Sequence, residues 1–315
     1  MQNMLRVLEF YSGIGGMHYA LSESSIPFTV IQSFDINTNA NANYLHTFNT
    51  KVNPSPPCQP FTRLGLQKDD QDNRTNSFFN LLDILTKMTT PPTYILIENV
   101  FGFEKSNTRE ELISAFTSKN YKYQEFHLSP QSFSIPNQRL RYFCIVYEKQ
   151  QEKHYEILSN QIPNGYKHSN KLEECKPISE FLDKNLTEEE SLLKYGVPEK
   201  LLLTKGMLFD IKKKEDFTTN CFTRSYGKLV EGTGSIISLN TDTDLKPIES
   251  DPTSLLPLKL RYFSPKEITR LHGFPEEFTF LPSFTPQQCY RLIGNSLNVK
   301  IVSELLKFLI SDDFK

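Results

Sequence analysis

The stretch LRVLEFYSGIGGMHYAL, residues 5–21, constrains the fold more than any other. An apolar run, Leu5–Phe10, meets Gly13, Gly15 and Gly16, and helical periodicity follows through Met17 and Leu21. This reads as a strand that turns sharply into a helix, the first half of a βαβ unit. A second strand, FTVIQSFDIN, ends at Asp35, and TNANANYLHTF is expected to be helical. Later come the helix NSFFNLLDILTKM, the strand TYILIENV, the helix TREELISAFTSK, and the strand pair YQEFHLSP and RLRYFCIVYE. Strands alternating with helices predict an α/β fold with a doubly wound, mostly parallel sheet.

Texture divides the chain further. From about Gln150 to about residue 258 the sequence is lysine-rich and turn-rich, the signature of a smaller inserted domain at 151–258. Residues 1–150 and 259–315 then form the main domain. RYFSPKEITRLHGF and QQCYRLIGNSLNVKIVSELLKFLI return to α/β character, the latter read as one amphipathic helix. One place breaks the pattern: HTFNTKVNPSPPCQ offers no apolar run before its prolines. Either the sheet is one or two strands short, or a segment on the order of 20 residues is lost between about Val52 and Ser55. The second is favoured, because parallel crossovers need that length.

With 315 residues there is ample chain for a core. A net charge of −2 excludes a global basic field, so phosphate binding must come from local patches. The five cysteines (Cys58, Cys144, Cys175, Cys221, Cys289) are scattered without CxxC pairing, which speaks against disulfides and zinc. The six histidines form no metal-like cluster, so no metal is expected. MQNMLRVLEF has no long apolar region and no stretch reaches membrane-spanning length. The expected compartment is the cytosol, with the nucleus second.

Four motifs carry chemistry. FYSGIGG follows a strand and opens a helix, where glycines let a ligand approach the backbone. Asp35, about 20 residues on, can accept ribose hydroxyls. The pattern is not GxGxxG, so an adenosyl ligand without pyrophosphate fits better than NAD; a plain tight turn is the alternative. Cys58 sits in NPSPPCQPFTR, where prolines fix φ. Its thiolate would be the reactive form, although a lone cysteine is more often inert. Glu98, straight after the apolar ILI, would be poorly solvated and able to hold a proton near neutrality; an N-cap or surface ion pair is the alternative. Arg139 and Arg141 at strand spacing would share one face and fix a carboxylate, phosphate or base carbonyl, unless both are simply solvated.

Taken in order, FYSGIGG, PPCQPF, ENV, QRLRYF, RYFSPKEITRLHGFP and GNSLNVKIVSELL resemble the motifs of the cytosine-5 methyltransferase family. CFTRSYGKLVEGTGS and PPCQPFTR…DNRTNSFFNLLDIL are similar to its tRNA-aspartate branch. The resemblance implies a Rossmann-like fold that binds S-adenosylmethionine, with 151–258 as target recognition domain. It implies that Cys58 attacks carbon 6 of cytosine, Glu98 supplies a proton at the ring nitrogen and exocyclic amine, and Arg139 and Arg141 hold the base carbonyl and the thiol loop. The cofactor would lie over Phe10, Ser12, Gly13, Ile14 and Gly15, with Asp35 and Ile36 at ribose and adenine and Asn295 and Ser296 at the methionine end. Gln59, Arg63, Cys221, Phe222, Thr223 and Tyr226 would meet the substrate.

The implied substrate is cytosine 38 in the anticodon loop of tRNA-Asp, bound by a monomer, with DNA a weak further partner. A stacked cytosine must be flipped for attack, and a loop base is already partly splayed. The resemblance also places a strand and an acidic residue before PPCQ; here no residue fills that role. A DNA cytosine-5 methyltransferase is the alternative enzyme, and a catalytically silent nucleic-acid or cofactor-binding protein the alternative class. Lys212, Lys213 and Lys214 read as a solvated turn, and Arg63, Lys68 and Arg74 as better placed for a nucleic-acid backbone. Cys144 and Cys289 read as core.

Overall fold

The computed structural model describes residues 4–53, 76–147, 158–160, 162, 175–240 and 247–310. The chain divides into two compact units. The first comprises Met1–Ser129, Leu140–His168 and Val299–Lys315, and the second Pro130–Arg139 and Ser169–Asn298.

The first unit opens with β1 (Leu5–Phe10), α1 (Gly16–Ser24), β2 (Phe28–Phe34), α2 (Thr38–Phe48) and β3 (Val52–Asn53). The three strands are parallel in the order β1-β2-β3. A two-residue strand thus does form ahead of the proline-rich stretch, where no apolar run predicts one. Asn37 caps α2 by accepting from the Asn39 and Ala40 amides. One sheet face is sealed by polar contacts. Tyr44 of α2 donates to Glu9, Ser33 donates to the same carboxylate at 3.0 Å, and His18 Nδ1 of α1 lies 2.8 Å from the Tyr44 hydroxyl. On the opposite face Phe10 stacks on Phe34 at 4.9 Å, yet Leu8 and Phe10 stay 53% and 41% exposed.

Burial pushes the Glu9 carboxyl up, against the pull of the Tyr44 and Ser33 hydrogen bonds. Burial pulls the His18 imidazole down to about 4. The unfolded histidine protonates near pH ~6.5. As pH falls, the unfolded chain therefore takes up the proton first, and stability complete above that value is lost towards pH 4. Glu9 has the opposite sign. Its contribution is present below the ordinary carboxylate value and lost as pH rises through the folded one. His18→Asn should therefore shrink the loss of thermal stability between pH 7.5 and 5 by about 1 kcal/mol, allowing for solvent screening of a partly exposed ring. Thermal melts at the two pH values check this, and an unchanged difference refutes it.

The unit continues with α3 (Asn76–Lys87), β4 (Tyr94–Val100), α4 (Asn107–Ser118), β5 (Lys122–Leu128), β6 (Arg141–Tyr147) and β7 (Leu158–Ser159), and closes with α9 (Val299–Ile310). The strands line up as β4-β6-β5-β7. The anticipated strand pair is present, and β6 runs antiparallel to both β4 and β5. Leu82 and Leu85 of α3 and Leu112 and Phe116 of α4 pack on the Tyr142, Cys144 and Val146 face of β6. On the other face α9 packs on β6 and along α1, with Phe308 edge-on to Phe126. Helices on both faces make this a doubly wound α/β unit.

The second unit holds α5 (Glu188–Tyr195), α6 (Glu199–Lys205), β8 (Asp210–Lys212), β9 (Ser235–Ser238), β10 (Leu260–Tyr262), α7 (Pro265–Leu271) and α8 (Pro286–Gly294). Its sheet has the order β10-β9-β8. Its bounds differ from the expected insert at 151–258. β10 pairs antiparallel with β9, and the Thr219 and Gln138 amides bond to Pro136 and Thr219 carbonyls, so 259–298 and Pro130–Arg139 belong here. Capping boxes at Ser264 and Thr285 start α7 and α8. The single helix expected over QQCYRLIGNSLNVKIVSELLKFLI is two, α8 and α9. Asn295 caps the first, and Asn298 donates to Leu271 at 3.3 Å.

Candidate active site

The glycine turn after β1 is built by backbone conformation. Gly13 and Gly15 have φ of 55° and 87°, which disfavour any side chain. A Cβ at Gly15 would also lie 2.2 Å from the Phe48 ring. Asp35 fixes this turn: one carboxylate oxygen accepts the Gly13 amide and the other the Asn37 amide, each at 2.8 Å. Each oxygen keeps a lone pair for a further donor. Ser12 and Ile14 are buried, whereas Phe10 and Ile36 are exposed. Two open apolar side chains and a carboxylate that can accept further donors suit the base and ribose of a nucleoside. The residues present thus fit an adenosyl cofactor.

Glu98 lies inside β4, two residues before its end, rather than after the strand. It is one-quarter exposed and faces the Arg141 guanidinium at 3.6 Å across the β4–β6 pair. The isolated, poorly solvated carboxyl expected from the sequence is therefore an ion pair. Arg141 is the first residue of β6, which explains the pairing: it stands opposite Val100, on the same face as Glu98.

Arg139 does not share a strand face with Arg141, because β6 begins only at Arg141. It is buried in the second unit, donating to the carbonyls of Phe222 at 3.1 Å, Gly294 at 3.2 Å and Ser296 at 2.6 Å, with Cys221 Sγ at 3.4 Å. Its guanidinium ties the CFT stretch to the segment after α8, which includes Asn295 and Ser296. Gly294 makes that approach possible, since a Cβ there would sit 2.2 Å from the Thr223 carbonyl carbon and the Arg224 amide. Backbone cannot yield as a side chain can, so Gly294→Ala should cost about 1–3 kcal/mol. A thermal melt no lower than wild type would contradict this.

Phe222 and Tyr226 are not placed to meet a substrate. Both are buried, ring-to-edge at 5.0 Å, and the Tyr226 hydroxyl donates to Ser235 and accepts from the Phe263 amide. They form an aromatic core, while Cys221 and Thr223 remain partly exposed at its margin. Lys212 is engaged by Asp210 at 2.8 Å and Lys214 lies 3.8 Å from Glu215. Cys144 and Cys289 are core thiols, as expected; burial pushes both up, Cys289 to about 11. Cys58, Gln59, Arg63, Lys68 and Arg74 lie outside the described residues. Glu9 was missed by the sequence reading; an acid inside the apolar run LRVLEF was its signal. Among the described residues no group of three metal-ligating side chains occurs, and no helix is long and apolar enough to cross a membrane.

Comparison with known proteins places these features in a family. The sequence profile of the C-5 cytosine-specific DNA methylases matches residues 52–311. A Dictyostelium discoideum protein named DNA (cytosine-5)-methyltransferase is 59% identical over 360 aligned positions, covering 98% of this chain and 94% of its own length. The human tRNA (cytosine(38)-C(5))-methyltransferase is 38% identical, covering 97% of this chain and 99% of its own. The crystal structure of the S. pombe Dnmt2 methyltransferase superposes with a TM-score of 0.85 at 36% identity, covering 98% of this chain and 99% of that one. With the glycine turn, ENV and the Arg139 clamp in place, the chain belongs to the C-5 cytosine methyltransferase family.

Proposed function

We propose that this protein methylates carbon 5 of cytosine 38 in the anticodon loop of tRNA-Asp, with S-adenosylmethionine as methyl donor. One observation carries the choice of RNA. The human and S. pombe relatives, both named for cytosine 38 of tRNA, are 38% identical and align over 99% and 97% of their own lengths.

The chain's own residues supply the remaining steps. The Cys58 thiolate adds to carbon 6 of the ring, which makes carbon 5 nucleophilic. Glu98 meets the ring nitrogen and exocyclic amine and offsets the charge that develops there, while Arg141 holds its carboxylate in place. Gly13, Gly15, Asp35, Phe10 and Ile36 would hold the cofactor, which supplies the electrophilic methyl group when bound. Loss of the carbon-5 proton to a base and expulsion of Cys58 then restore the aromatic ring. Arg139 acts as a positioning residue, through the Phe222, Gly294 and Ser296 carbonyls it binds.

The second reading, a DNA cytosine-5 methyltransferase, is favoured by the name of the Dictyostelium relative. Incubating the protein and labelled cofactor with transcribed tRNA-Asp and with duplex DNA separates the two. One labelled cytosine in the anticodon loop is the expected result; label on DNA with none on tRNA overturns the RNA reading.

A further inference from the structure

The two ends of the glycine turn are held by different means. At its start the Ser12 amide donates to the Phe34 carbonyl at 3.1 Å, and Asp35 accepts the Gly13 amide. At its end Gly15 is the N-cap of α1, with φ of 87° and no side chain to bond the open amides of the first helical turn. The helices α7 and α8, by contrast, start on the side chains of Ser264 and Thr285. What meets Gly15 instead is a ring. The three atoms nearest to a Cβ built there all belong to Phe48, the last residue of α2.

That ring is itself fixed from several sides. It stacks on His18 of α1 with centroids 3.8 Å apart and planes within 10°, and it is flanked by Tyr44 at 4.6 Å and Tyr19 at 5.0 Å. His18 is held in turn, with Nδ1 at 2.8 Å from the Tyr44 hydroxyl and the Phe28 ring edge-on at 5.4 Å. Tyr44 is fully buried and donates to Glu9, which also accepts from Ser33. Glu9 directly precedes Phe10 of the cofactor shelf. The contacts therefore close a circuit that leaves the chain at Glu9, runs through Tyr44, His18 and Phe48, and returns at Gly15. Closely packed rings give little ground, so the circuit ties the start of α1 to the sheet.

We propose that Phe48 and His18 are positioning residues for the cofactor: their stack does for Gly15 what a capping side chain does elsewhere, and holds the turn in its binding conformation before the cofactor arrives. The inference rests on the reading of this turn as the cofactor shelf. Glycine at position 15 is what admits the ring so closely, and the ring restrains the freedom that glycine would otherwise bring. A turn ordered in advance loses no freedom on binding, so loosening it weakens the ligand and leaves the chemical step alone. Neither side chain needs to touch the cofactor, because both act through Gly15. The effect belongs in cofactor affinity, separate from RNA binding and from turnover at saturating cofactor.

The test is calorimetric titration of the full chain with S-adenosylhomocysteine, at a temperature where every variant is folded. Phe48→Leu should bind it at least tenfold more weakly and His18→Asn at least threefold. The KM for S-adenosylmethionine should rise by the same factors, with the KM for tRNA and kcat at saturating cofactor within twofold of wild type. Leu112→Ala is the control for general instability: it opens the buried core between α4 and β6, far in sequence from the turn, and should lower the melting temperature with binding unchanged. Unchanged binding by Phe48→Leu, or equal weakening by Leu112→Ala, overturns the inference. Asp35→Ala separates it from the shelf reading. Binding weakened by Asp35→Ala but untouched by Phe48→Leu refutes the positioning role alone. Binding unaffected by both, or absent in the wild type, refutes the shelf reading and the inference with it.

Discussion

On the proposed mechanism, Cys58→Ala should lower methyl transfer to tRNA by at least about 10⁴-fold. Carbon 5 of cytosine is a poor nucleophile until a group adds at carbon 6, and no other side chain in the PPCQ stretch can add there. A 10⁴-fold loss corresponds to about 5 kcal/mol of barrier, a normal size for removing a covalent nucleophile. Cys58→Ser should fail almost as completely, because a serine hydroxyl is scarcely ionised near neutrality and has no base beside it by sequence. S-adenosylhomocysteine binding should be unchanged in both variants, since the proposed cofactor shelf is the Gly13–Asp35 turn. RNA containing fluorocytosine should form a stable adduct with the wild type and none with either variant. Retention of more than one hundredth of the wild-type labelling by Cys58→Ala would refute the covalent route.

Much of this site was legible because its parts are local. A strand that meets closely spaced glycines must turn there, and Asp35 falls at the end of β2 for the same local reason. β5, β6, α2, α3 and α4 follow from apolar period and caps. What escaped depends on distant partners. Spacing alone put Arg139 and Arg141 on one strand, but Pro136 and Gln138 are held by Thr219, more than 80 residues away, and that delays β6 until Arg141. Nothing local marks Phe222 and Tyr226 as core rather than surface; the Ser235 and Phe263 backbone decides it. The amphipathic period runs on across α8 and α9, and the Asn295 cap and the Asn298 contact with Leu271 show that the chain turns between them.

Arg139→Ala should destabilise the protein by about 3–5 kcal/mol, which is a large share of the roughly 5–15 kcal/mol that holds a typical domain folded. The guanidinium is buried and donates to three backbone carbonyls, from Phe222, Gly294 and Ser296. Its removal leaves those acceptors in a dry interior, at about 1–3 kcal/mol each, less than additive because they share one site. Arg139→Lys keeps the charge but not the planar fork. One ammonium cannot reach carbonyls on both the CFT stretch and the post-α8 segment, so the lysine variant should recover less than half of the loss. Urea denaturation of the three proteins measures this. An indirect catalytic effect should accompany it, because the same bonds set where Cys221, Thr223 and Asn295 stand. At a temperature where Arg139→Lys is still folded, its kcat should fall at least tenfold, whereas Gly294→Ala, which perturbs the same junction without removing a donor, should lose stability with a smaller fall in kcat. Equal falls in kcat for the two variants would reduce Arg139 to a packing residue, and a wild-type urea midpoint for Arg139→Ala would remove it from the argument altogether.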